Sequence, residues 1–168
     1  MEDWSIAAIL VILVVEIFLS GAWIPFYFRN GLPLFQRRVQ MAQAFTRLPS
    51  PEEIEQSLKR GYMPSLVVHR LDSRTYAFRE KLFELNLVGY TPIMHGLLSF
   101  NPERAEVVVT GFANWSVLVV CFTAVFFFTE WPDILFLWFP VAIVAAIYLV
   151  QSRRYAAVAD IAAKQCTS

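Results

Sequence analysis

The sequence predicts a mainly α integral membrane protein. Three transmembrane helices are expected, a first anchor plus a C-terminal antiparallel hairpin, with a small α+β cytoplasmic module between spans 1 and 2. Three observations carry this. Apolar types make up 57% of the 168 residues and charged types 17%, against roughly 25% charged residues in soluble domains. The apolar residues are gathered into long runs rather than scattered. All 14 Lys and Arg fall between Arg29 and Arg104 or from Arg153 onward.

The first run covers residues 4–27. As a helix it would reach about 36 Å, enough to cross a hydrocarbon core of about 30 Å with some tilt. Trp4 at one end and Trp23 and Tyr27 at the other suit the interfacial belts. Its flank is acidic (Glu2, Asp3), which argues for a retained anchor over a signal peptide. Residues 112–131 supply a second span and residues 134–150 a third, joined by the polar turn at 130–133. Pro140 should kink the third helix, since it removes a donor and crowds the carbonyl four residues back. The Ala-rich run at 155–164 reads as a helical extension leaving the bilayer. The expected division is an anchor at 1–27, a module at 28–111, a hairpin at 112–150 and a helical tail at 151–168.

Charge orients this arrangement. The two basic regions must share one side of three spans, and the positive-inside bias makes that side the cytoplasm of a plasma (inner) membrane. The N-terminus and the 130–133 turn then face outward.

Within the module, Phe35, Val39, Ala42, Phe45 and Leu48 have helical spacing. Residues 34–48 are therefore expected to form an amphipathic helix, lying on lipid or on its own domain. Ser50-Pro51-Glu52-Glu53 reads as a helix start with a capping box, and Gly61 as the stop after residue 60. Residues 66–71 read as a strand, and residues 76–85 fit either helix or strand. Residues 93–100 and 106–110 read as a hairpin closed by Asn101-Pro102-Glu103-Arg104.

Among candidate functional residues Glu16 comes first. A charge near the middle of a span costs about 2.5–3.5 kcal/mol, so a carboxyl there needs a reason. At 100° per residue, Ser5, Glu16, Ser20 and Tyr27 share a polar stripe about 60° wide. The stripe serves either packing, with Thr123 as a hydrogen-bond partner, or proton movement. Arg29, Arg37, Arg38, Arg153 and Arg154 are candidate contacts to lipid headgroups. His69 and His95 stand without metal-ligand or triad spacing, so ordinary core or surface roles are expected and no catalytic, metal or cofactor residue is assigned. Cys121 and Cys166 match no redox or metal pattern. The arginines are interleaved with acids, which gives nucleic-acid binding little support. No phosphate-cradling glycine loop or hydrolase motif occurs.

The function expected from these features is that of a non-catalytic integral membrane protein, an accessory or stabilising subunit of a larger inner-membrane complex. Its partners would be the bilayer and other membrane subunits. Two alternatives stand beside it: a small proton-coupled transporter using Glu16, and a membrane-surface lipid-binding module or enzyme acting through residues 28–111.

Overall fold

The computed structural model describes residues 3–41, 45, 47–58, 65–81, 92–119, 121 and 134–167. Its architecture is mixed α+β, organised on one five-stranded antiparallel sheet. This corrects the mainly α, three-span expectation. Among the described residues one helix, over Val141–Cys166, is long and apolar enough to cross a membrane by length and composition; the apolar part of the N-terminal helix, Leu10–Gly21, is shorter.

In chain order the elements are α1 (Asp3–Gly21), α2 (Pro25–Arg29), β1 (Pro33–Gln40), α3 (Pro51–Leu58), β2 (Leu66–Arg70), β3 (Thr75–Glu80), β4 (Met94–Asn101), β5 (Glu106–Ala113) and α4 (Ile134–Cys166). The sheet order is β1-β5-β4-β3-β2. Strands β2 to β5 form a meander, and β1 adds to its far side by pairing with β5, Arg37 opposite Val109 and Val39 opposite Val107.

The strand β1 occupies the start of the segment expected to be an amphipathic helix. Phe35 and Val39 lie four apart, a spacing that keeps two side chains on one face in a helix and in a strand alike. Residues 42–44 and 46 lie outside the described residues. The capping box at α3 forms as expected: the Ser50 amide donates to Glu53 Oε2 at 2.9 Å and the Glu53 amide to Ser50 Oγ at 3.2 Å. The described helix ends at Leu58, and the stop at Gly61 lies outside the described residues.

Of the ambiguous segment 76–85, the described part is strand over Thr75–Glu80, where Tyr76 and Phe78 point into one core, and residues 82–85 lie outside the described residues. The β4–β5 hairpin has the expected closure. Asn101 Oδ1 accepts from the Arg104 amide at 3.3 Å, and Ala105 takes the left-handed conformation at φ 47° that returns the chain.

One face of the sheet is covered by α3 and the C-terminal half of α4. Leu66, Val68, Phe78, Met94, Val107 and Val109 meet Tyr155, Val158, Ala159 and Ala162 there. Gly111 makes room for Tyr155: a Cβ on it would stand 3.0 Å from the ring. Tyr155 in turn donates its hydroxyl to the Met94 carbonyl at 2.8 Å. The expected third span and tail are one uninterrupted helix that continues through Pro140. Its second half is the sheet's cover, and the small residues at 159, 162 and 163 let it lie close. The exposed large apolar residues described on this helix lie in its earlier part, at Val141, Ile143, Val144 and Leu149.

The other face is covered near one end by α2. Tyr27 and Phe28 are buried against Ala77, with Leu97, Trp23 and Trp115 packed around them. The run expected to span continuously over residues 4–27 turns after Gly21. Trp23 sits at φ 56°, a left-handed conformation that costs a bulky side chain free energy. Pro25 then starts α2. The second expected span begins later than residue 112, because Phe112 and Ala113 still belong to β5; helix follows at 115–119, and the 130–133 turn lies outside the described residues.

Candidate functional site

The polar stripe of α1 is where the fold concentrates its buried polar groups. Glu16 and Ser20 are each 6% exposed, and the turn at Trp23 folds α2 back so that Tyr27 reaches Glu16. The Tyr27 hydroxyl donates to Glu16 Oε1 at 2.6 Å. The same oxygen accepts from the Trp115 amide at 2.6 Å, and Oε2 from the Ser116 amide at 2.8 Å. These amides open the helix that follows β5, and the first amides of a helix have no partner within it. Glu16 thus caps a helix from a distant part of the chain. An acceptor at this place satisfies amides that the helix itself leaves unpaired.

Asn114, the residue at the usual capping position, turns elsewhere. Its Nδ2 donates to the Pro92 carbonyl at 2.8 Å and its Oδ1 lies 3.0 Å from His95 Nδ1. His95 Nε2 lies 3.0 Å from the Tyr27 carbonyl. The imidazole stacks on the Tyr27 ring, with centroids 4.1 Å apart, and lies at 5.8 Å from Phe112. Both ring nitrogens face oxygen, and a neutral ring has a single N–H to donate. Burial nevertheless lowers the His95 pKa, against the raising effects of Asn114, the Tyr27 carbonyl and Glu16. Burial also raises the Tyr27 pKa, with the Glu16 carboxylate adding to the effect.

A pocket of about 280 Å³ opens beside this network. Its lining includes Glu16, Ser20, Arg79, Glu80, His95 and Ser116, with Leu13, Ile17 and Met94 as apolar wall. Arg79 donates to the Ser20 carbonyl at 3.2 Å and to the Glu80 carbonyl at 3.4 Å, and its guanidinium stands 4.8 Å from the Trp23 ring centroid. Glu80 pairs with Arg154 at 2.6 Å.

The structure therefore brings Glu16, Ser20 and Tyr27 together. Ser5 lies on α1, but its side chain, like Thr123, is outside the described residues. The five candidate headgroup arginines part ways. Arg154 is turned inward onto Glu80, with 16% and 1% side-chain exposure. Arg29 pairs with Asp72 and Arg37 with Asp160, both on the surface. Arg38 donates to Gln36 Oε1 at 3.4 Å, and Arg153 is exposed. Sequence reasoning missed Asn114, Arg79 and the placement of His95. Asn114 carried a signal, an Asn immediately before an apolar run; nothing in the sequence linked it to His95. His69 is exposed and stacks on Trp23 at 5.0 Å. Among the described residues no three His, Cys, Asp or Glu side chains converge as a metal site would require.

No protein-family model matches the chain, and neither a curated protein nor a solved structure matches it.

Proposed function

We propose that this chain is a membrane-associated, non-catalytic protein that serves as an accessory or stabilising subunit of a larger inner-membrane complex. The observation that carries this reading is exposed apolar surface on two helices, α1 and α4. On α1, Leu10, Val11, Val14, Val15, Ile17 and Phe18 are exposed, on the arc opposite Glu16. On α4 the exposed set is Val141, Ile143, Val144 and Leu149. Apolar surface left exposed in this way marks contact with lipid or another protein. The basic residues of the sheet module support its placement on the cytoplasmic side.

The inward groups support a structural role. Glu16, Tyr27, Asn114 and His95 are tied to one another and to backbone, and all three partners of Glu16 are donors. A proton carrier needs a path of exchanging groups; this carboxylate is held as a fixed acceptor, which favours packing over transport.

The test is extraction of native membranes in mild detergent, separation by size and identification of whatever migrates with the chain. Migration with stable partners, well above one chain in its detergent, is expected. Recovery from the aqueous fraction, or as a lone chain in the membrane fraction, overturns the reading.

A further inference from the structure

The two edges of the sheet are finished differently. At β2 the outward amide of Val68 donates to Glu55 Oε1 of α3 at 2.7 Å, so a side chain already occupies that edge. At β1 the backbone is left open. The Met41 amide donates to the Ala105 carbonyl at 2.9 Å, in the register that sets Gln40 opposite Glu106 and Arg38 opposite Val108. Antiparallel strands exchange hydrogen bonds at every second residue. Val39, Arg37 and Phe35 therefore turn their main-chain groups toward β5, and Gln40, Arg38 and Gln36 turn theirs outward. These three residues are exposed, and their outward main-chain groups meet no hydrogen-bond partner among the described residues. Nearer the start of the strand the Tyr148 hydroxyl donates to the Leu34 carbonyl at 3.2 Å, which closes the edge there.

An open edge is a template for one more strand, and the charges beside it select which. Arg37 meets Asp160 on the α4 side of β1, so Arg38, the next residue, projects from the opposite face. Arg153 flanks the same strand from the α4 side. It lies seven residues before Asp160, which places it within about 20° of Asp160 around the helix. It also falls between Tyr148 and Asp160, both of which touch β1. Neither Arg38 nor Arg153 belongs to an ion pair among the described residues. A second copy of this chain, pairing antiparallel about Arg38, would set Arg38 against Arg38, and like charges directly opposite are destabilising. Adjacent residues of an added strand point to opposite faces, so two adjacent carboxylates would meet both arginines.

We propose that β1 binds an extended acidic segment of a partner subunit as a sixth strand of the sheet. Its main chain pairs with Gln36, Arg38 and Gln40, and its carboxylates meet Arg38 and Arg153. The site rests on the subunit reading above and adds the form of the contact. Lipid headgroups would share the two arginines but present no alternating donors and acceptors to the backbone between them.

The experiment is fluorescence anisotropy of labelled octapeptides with the full chain in a neutral detergent. The probe is Thr-Val-Thr-Glu-Glu-Thr-Val-Thr, and its counterpart carries Lys in place of Glu. The acidic probe should bind about tenfold more tightly than the basic one. Arg38→Glu should reverse that order and Arg153→Glu should weaken it, while Arg70→Gln, exposed on the opposite edge, should leave it unchanged. N-methylation of one alternate set of the probe's amides should abolish binding and methylation of the other set should preserve it, since every second amide faces the edge. The methylated probes use the parent chain and decide the matter even where a variant fails to fold by circular dichroism. Equal binding of the acidic and basic probes, or the same effect from both methylated sets, overturns the proposal. So does a parent chain that binds phosphatidylglycerol vesicles through Arg38 and Arg153 and binds neither peptide, which would assign these arginines to a membrane. A chain that migrates with partners yet fails the peptide test overturns the edge site alone; one that passes it yet migrates alone overturns the subunit reading alone.

Discussion

Glu16 caps the helix that begins at Trp115, its Oε1 lying 2.6 Å from the Trp115 amide across 99 positions of sequence. The contact joins α1 to the end of β5, and Tyr27 joins the same carboxylate to α2. Three elements thus meet at one side chain, and the strand-to-helix transition at Asn114 is held from outside its own segment.

Removing this carboxylate should be costly. Glu16→Leu leaves two helix-terminal amides and the Tyr27 hydroxyl without their acceptor. Hydrogen bonds to charged groups contribute about 1.5–3 kcal/mol each, and they are not additive. A loss of about 3 kcal/mol is expected, with Glu16→Gln intermediate because an amide presents one acceptor and one donor to three donors. Thermal unfolding in detergent measures both; an unchanged midpoint for Glu16→Leu would remove the capping role.

His95 should make stability depend on pH in a defined direction. Its folded pKa lies below the ordinary 6.5, chiefly through burial. At pH 7 to 8 the ring is neutral in both states. Below about 6.5 the unfolded chain takes up the proton first, so stability is lost as pH falls from there toward the folded value. Denaturant titrations from pH 8 to 5 should show this fall, and His95→Gln should flatten it. A variant with the same slope as the parent would assign the pH dependence to other groups.

The two kinds of ion pair should behave differently. Arg154→Met leaves Glu80, with a side chain 1% exposed, buried without its guanidinium. Breaking such a pair from one side costs about 3–5 kcal/mol. Arg37→Met breaks a surface pair whose side chains are 44% and 52% exposed, where the expected loss is below about 1 kcal/mol. Equal losses in the two variants would contradict the burial difference.

Gly96→Ala should also be destabilising. A Cβ at this position would stand 2.1 Å from Phe78 Cζ, and the Phe78 ring is fully buried against Tyr155 at 4.7 Å. Overpacking of this kind costs about 1–3 kcal/mol. Combining it with Phe78→Leu should recover part of that loss, a coupling that a double-mutant cycle reads directly. Additive losses would mean that the two sites do not compete for the same space.

Local signals were legible where the chemistry is local. The capping box at Ser50 and Glu53 and the turn at Asn101 to Arg104 are set by side chains a few positions apart, and both formed as the sequence implied. Glu16 and Ser20 are buried on α1, but Tyr27 reaches Glu16 from α2 after the chain turns at Trp23, not along one continuous helical stripe. Spacing failed at Phe35 and Val39, since four residues return to the same face in helix and strand alike; the partner that made β1 a strand is β5, more than 60 positions away. Length and apolarity overstated the membrane-crossing segments, because the run at 4–27 turns at Trp23 and Pro25 and Phe112 and Ala113 are drawn into β5, and apolar composition reads the same in each setting. Tertiary structure alone decided that Glu16 caps Trp115, that Arg154 turns to Glu80 and that Arg79 reaches the Ser20 carbonyl. Each depends on which distant backbone is brought alongside, and a one-dimensional pattern holds no information about that distance.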